Sequence, residues 1–172
     1  VYPDSSSGVS LSNPESEEEG PKIIFPPYQD IPQFSYDPEG TYAVSQSLLS
    51  IRRNDPFLAG ILNSMLGRFV ITRTCPLTDR GYHISIAPIG KFPVYTPDFD
   101  NPDDKARHDR MGALVNEMLE LHKHLSHATT DREKRIITQE IVSTDRQIDS
   151  LVYGLYGLTA DEIAVVEETV CR

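Results

Sequence analysis

From Asn101 to Val170 apolar residues recur every three or four positions, and three sets of capping residues cut the pattern into helices. Met111, Leu114, Met118, Leu121 and Leu125 follow one another at intervals of 3, 4, 3 and 4. Ile137, Ile141, Thr144, Ile148, Leu151 and Leu155 continue at 4, 3, 4, 3 and 4. Such spacing lays one apolar seam along an α-helix. Asn101 is placed as an N-cap for the first helix, with Pro102 at the first helical position and two aspartates at the positive end of its dipole. Thr130 and Glu133 form a capping box for the second. The connection, "SHATT", is short, so the two helices must fold back as an antiparallel hairpin with their seams together. Gly157 suits the residue just past a helix end, and Thr159 with Glu162 starts a last short helix, "ADEIAVVEETV".

The chain ahead of the hairpin has a different character. Residues 1–20 are rich in Ser, Glu, Pro and Gly and read as a linker or disordered lead-in. Residues 21–99 carry β-branched and aromatic runs broken by prolines and by the turn signal "DPEG". They predict strands near 22–26, 33–36, 41–45 and 47–51, a helix from about 56 to 68, an irregular Arg/Thr-rich loop, and a strand at 82–87. The expected fold class is therefore α+β. A small mixed sheet with a packed helix occupies 21–99, and an antiparallel coiled-coil-like hairpin with a short terminal helix occupies 100–172. No apolar run approaches a membrane span, and the first residues lack the basic start and apolar stretch of a signal peptide. Cys75 and Cys171 are far apart and fit a reducing cytoplasm better than a disulfide. The start at Val1 points to a piece of something longer.

The net charge of −10 is unevenly spread. Residues 1–20 hold five acids and no Lys or Arg, residues 21–99 hold seven bases against six acids, and residues 100–172 hold nine bases against fifteen acids. The acid sits at the two ends, which weakens a nucleic-acid reading of the whole without removing it from the middle. There Arg52, Arg53, Arg68, Arg73 and Arg80 cluster, followed by Tyr82, His83 and Lys91. Arginine is the commonest reader of guanine edges and a frequent phosphate clamp. Catalytic signals are sparse. His108, His122, His124 and His127 lack a carboxylate spaced to complete a metal site and read as a solvated helix face. No Gly-rich phosphate loop or nucleophile elbow is present. The stretch "NDPF" at Asn54 approaches the Asn/Asp-Pro-Pro-Tyr/Phe tetrapeptide of amino-methylating DNA enzymes, but Asp55 replaces the first proline. Asn54 or Asp55 as an N-cap with Pro56 at the first helical position explains it as a helix start.

The tail carries a more specific pattern. "STDRQIDSLVYGLYGLT" closely resembles the C-terminal end of TaqI-type N6-adenine DNA methyltransferases and fused type II restriction–modification enzymes, where a "DxxIDxLVYxLYGLTxxE" stretch closes the target-recognition domain. The match runs through Asp145, Ile148, Asp149, Leu151, Val152, Tyr153, Leu155, Tyr156, Gly157, Leu158, Thr159 and Glu162. Upstream, "PKIIFP", "FSYDPEGTY", "DPFLAGILNSML" and "FPVYTP" look like successive blocks of the same specificity domain, whereas "TRTCPLTDRGYHIS" matches no fixed family pattern. The resemblance implies a non-catalytic module that reads double-stranded DNA for an upstream methyltransferase domain. S-adenosylmethionine would belong to that parent, and this stretch itself would hold no cofactor. The expected DNA contacts are Arg73 and Arg80, with Tyr82 and His83 beside them and Arg52, Arg53 and Lys91 next in line. The competing reading is a protein-interaction module working through the acidic hairpin.

Overall fold

The strand Lys22–Phe25 (β1) is buried at all four positions, and a sheet forms around it. In the computed structural model the described residues are 20–170, so the lead-in up to residue 19 and Cys171 lie outside them. β1 is flanked by Ser35–Asp37 (β3) on one side and Leu49–Ile51 (β4) on the other, both antiparallel, with Ile23 opposite Tyr36 and Ile51. A second antiparallel sheet sets Gly81–His83 (β6) between Tyr28–Gln29 (β2) and Leu77–Thr78 (β5). The helices are Pro56–Asn63 (α1), Met65–Thr74 (α2), Ile86–Ile89 (α3), Pro102–His127 (α4), Asp131–Tyr156 (α5) and Ala160–Val170 (α6). The α+β class holds, with two small antiparallel sheets in place of one mixed sheet.

The chain forms two compact units. One comprises the residues up to Asp55 together with Val70–Phe92 and holds both sheets; the other comprises Pro56–Phe69 and the chain from Pro93 onward. The helix that begins at "NDPF" thus groups with the C-terminal helices.

The strand-rich unit has a charged core element. Lys22 is 1% exposed, and its ammonium sits 3.4 Å from the Asp37 carboxylate, donating also to the carbonyls of Gly20 and Gly40. Asp37 in turn accepts from the Thr41 and Tyr42 amides. Those two bonds explain why the strand expected at 41–45 does not form: the amides it would offer to a ladder are already held by the turn. Gly40, at φ +69°, lies so close to the Gly20 backbone that a Cβ there would clash with it.

Two further expectations fail for local reasons. The helix expected over 56–68 is broken at Ser64 and runs on to Thr74, through the segment read as an irregular loop. Ser64 Oγ donates to the Ile61 carbonyl and accepts from the Gly67 amide, so one hydroxyl closes α1 and opens α2. Burial of Ile71 and Cys75 outweighs the weak helix propensity of "FVITRT". The strand expected at 82–87 stops at His83, and Ser85 leads into the one-turn helix α3. Pro88 has no N–H for a ladder and is tolerated in that first turn.

The helical unit follows its periodicity. α4 and α5 lie side by side as the expected hairpin. Met111, Leu114 and Leu121 are buried on α4, and Thr144, Ile148, Val152 and Leu155 on α5. Asn101 caps α4 by accepting from the Asp103 amide, and Thr130 and Glu133 form the reciprocal box at α5. α5 ends at Gly157 with φ 65°, where the Leu158 amide donates back to the Tyr153 carbonyl. Thr159 and Glu162 cap α6 in the same manner as the α5 box. α1 packs on α4 at Gly60, where a Cβ would stand 2.4 Å from Met111 Sδ.

Two outcomes test this account. Leu121→Asp places an unpaired carboxylate in the seam and should cost about 3–5 kcal/mol of unfolding free energy in urea. Asp37→Ala strands a buried ammonium and should cost about as much, on the order of 3–5 kcal/mol. Burial pushes the Asp37 carboxyl up, but the Tyr42 and Thr41 amides and the Lys22 ammonium together hold it below the usual 3.8. Its folded value lies below its unfolded one, so its contribution is complete above the ordinary carboxylate range and is lost as pH falls through the folded value. Urea midpoints measured from neutral to strongly acidic pH should therefore converge for wild type and Asp37→Ala at the acid end; a constant gap would contradict the pairing.

Candidate functional site

The β5–β6 hairpin gathers three of the expected contact residues. Thr78 and Gly81 pair at its tip, and Thr78 Oγ1 donates to the Gly81 carbonyl and accepts from the Arg80 amide. This fixes the backbone on either side of Arg80. Gly81 has φ +94°, and a Cβ there would stand 2.6 Å from the Gln29 carbonyl, so only glycine lets β6 approach β2. That approach sets Tyr28 opposite His83 and Gln29 opposite Tyr82. The His83 ring stacks on Tyr28 with centroids 4.7 Å apart and planes 11° from parallel. The Arg80 guanidinium carbon sits 4.2 Å from the centroid of the same Tyr28 ring.

A guanidinium held over a ring face is restrained there by the attraction between its charge and the ring. Arg80 is exposed, and its guanidinium donates to no protein acceptor among the described residues. Tyr82 and His83 are half-buried beside it, and Leu77 is 69% exposed on the neighbouring strand. The hairpin therefore presents Arg80 over a ring, the carboxylate of Asp79, the hydroxyls of Thr78 and Tyr82, and exposed apolar surface at Leu77.

The other expected residues sit elsewhere. Arg73 lies on the last turn of α2, not in the irregular loop expected there, because the helix runs through to Thr74. Its charge there complements the helix dipole. Arg53 forms an ion pair with Asp55 at 3.3 Å, and Arg52 beside it is exposed. Lys91 is exposed just after α3. Arg68 belongs to the helical unit, where its Nε is buried with no hydrogen-bond partner among the described residues. Tyr28, the residue that positions Arg80, was missed in the sequence. The prolines on its N-terminal side masked a two-residue strand, and its pairing with His83 spans more than fifty positions.

Several residues of the tail pattern make structural contacts. Asp149 accepts from the Met65 amide at 2.7 Å and so caps α2 from α5, an anion at the positive end of a helix dipole. Burial raises the Asp149 carboxyl, with Asp145 and Glu167 adding to the rise and the Met65 amide and Arg68 opposing it. Tyr156 donates to the Pro93 carbonyl at 2.6 Å and accepts from the Tyr95 amide at 2.9 Å, clamping the "FPVYTP" segment. The Tyr95 hydroxyl donates to Asp104, whose carboxylate also accepts from the Asp98 amide and pairs with Arg107. In "NDPF", Asn54 accepts from the Tyr36 hydroxyl and α1 begins at Pro56. Phe57 is buried, with its ring stacked on His108 at 5.2 Å and tilted against Tyr95 at 6.5 Å. That ring is committed to the core and presents no face to a ligand.

The geometry makes Gly81 the most sensitive position of the hairpin. Gly81→Ala should separate β6 from β2 and abolish the Tyr28–His83 stacking while α4 and α5 stay folded. Loss of the upfield ring-current shifts of His83, with helical circular dichroism unchanged, would be the expected spectrum; retained shifts would refute the steric argument.

No family model matches the chain, and no curated protein does so either.

Proposed function

We propose that the strand-rich unit reads duplex DNA through the β5–β6 hairpin, as the non-catalytic recognition module of a site-specific adenine methyltransferase or fused restriction enzyme. The observation that carries this reading is Arg80: exposed, stacked over Tyr28, and free of protein acceptors among the described residues. A guanidinium pre-oriented in this way loses little freedom when it bonds guanine O6 and N7 together, which is the commonest specific contact in the major groove. Arg73, Arg52 and Lys91 are exposed on the same unit and serve as phosphate contacts, with Tyr82 and His83 supporting the tip. The charge partition agrees, since the strand-bearing middle of the chain is the part that is not acidic.

In this reading methyl transfer, and the S-adenosylmethionine it consumes, belong to an upstream domain of a cytoplasmic parent enzyme. The burial of Phe57 supports assigning no catalysis to "NDPF". Among the described residues no helix is long and apolar enough to cross a membrane. A second role, protein contact through the acidic hairpin, is favoured by Ile136 and Val142, which α5 leaves 47% and 44% exposed.

Selection of the 172-residue chain against randomised duplexes, followed by gel shifts over a range of salt, tests the proposal. Arg80→Ala should weaken the preferred sequence by about 1–3 kcal/mol and relax one position, whereas Arg73→Ala should weaken all sequences alike and lower the salt slope by about 1. If Arg80→Ala keeps both affinity and preference, the hairpin is not the reading element.

A further inference from the structure

An open groove of about 890 Å³ runs between α4 and α5 in the helical unit. Its floor is apolar, formed by Leu114, Val142 and Leu151, and its basic lining is Arg107, Arg110 and Arg146. No carboxylate lines it, although residues 100–172 hold fifteen acids against nine bases. Arg107 pairs with Asp104 and Arg110 donates to Gln147, while Arg146 makes no ion pair among the described residues. The α5 wall carries Ser143, Gln147, Ser150 and Gly154 along one face, at intervals of four, three and four, with Arg146 beside them. The small side chains at three of those four positions leave room for another helix. A phosphate backbone would gain nothing from the apolar floor, whereas an amphipathic helix carrying acids would satisfy floor and arginines together.

The chain itself supplies such a helix. α6 turns Val166 inward, 4% exposed, with Ile163 half-buried beside it. On its other face Asp161, Ala164, Val165 and Glu168 stand at intervals of three, one and three, all exposed, with Val165 56% exposed. This outward stripe is apolar at its centre and acidic at its ends, and α6 contains no Lys or Arg. Eleven helical residues span about 16 Å, and the groove follows α5 from Thr138 to Gly154 for about 24 Å, so the stripe fits within it.

We propose that the outward face of α6 from one copy of this chain seats in the α4–α5 groove of a second copy, and reciprocally, forming a two-fold homodimer. The contact is made twice by symmetry, so each charge pair counts twice. Arg146 in the groove and Glu168 on α6 are the diagnostic residues, since both are exposed and their replacement leaves the fold of one copy intact.

Sedimentation equilibrium of the complete 172-residue chain decides the matter. The wild type should be dimeric at concentrations up to roughly 100 µM, dissociating as salt is raised. Arg146→Glu and Glu168→Arg should each weaken self-association by about tenfold or more, with unchanged circular dichroism. Mixing the two variants should restore a dimer, because in the mixed pair one contact is native and the other is charge-reversed yet complementary. A wild type that stays monomeric over that range overturns the proposal. So does a dimer indifferent to both variants, or one that mixing fails to restore. Weakened DNA retention by Arg146→Glu in a monomeric chain would also overturn it and mark the groove as a phosphate site.

Discussion

The seam between α4 and α5 is the constraint on which the helical unit is built. With Met111, Leu114, Leu121, Thr144 and Ile148 buried along it, neither helix can rotate without exposing apolar area at roughly 25 cal/mol per Å². Everything attached inherits that fixed geometry. α1 reaches α4 so closely at Gly60 that its position depends on Met111. Asp149 sits one turn from the seam on α5 and caps α2 through the Met65 amide. Tyr156, at the end of α5, holds the incoming chain at Pro93 and Tyr95.

This arrangement gives a physical reason for the composition of the tail. Asp149, Tyr156, Gly157, Thr159 and Glu162 each make a backbone contact or adopt a backbone conformation that another residue type would lose. The stretch that most resembles the end of a recognition domain is therefore a clamp.

Electrostatics divides the units in a comparable way. Among the described residues the strand-rich unit buries the ion pair of Lys22 with Asp37, whose surrounding donors and acceptors offset the cost of removing both charges from water. Of its surface arginines, Arg53 pairs with Asp55 and Arg80 lies over the Tyr28 ring. The helical unit is acidic outside and keeps three arginines in a groove without carboxylates.

The amino-acid sequence by itself determined the helical hairpin, its caps and its ends, because these depend on residues three or four positions apart and on side chains that bond their own backbone. Asn101, Thr130, Gly157 and Thr159 act where the pattern put them. The helix start at Pro56 was legible for the same reason. Of the expected contact residues, the sequence supplied Arg80 and His83 but not their arrangement. Only the tertiary structure decided that Tyr28 lies under Arg80, that Asp37 withholds the amides of the strand expected at 41–45, and that α2 runs on past Arg68 to Arg73. Those outcomes turn on pairings between distant residues and on the burial of Ile71 and Cys75, which overrode local propensity. Local bonds are written in the order of residues, whereas a ring stacked across two strands exists only once the strands have met.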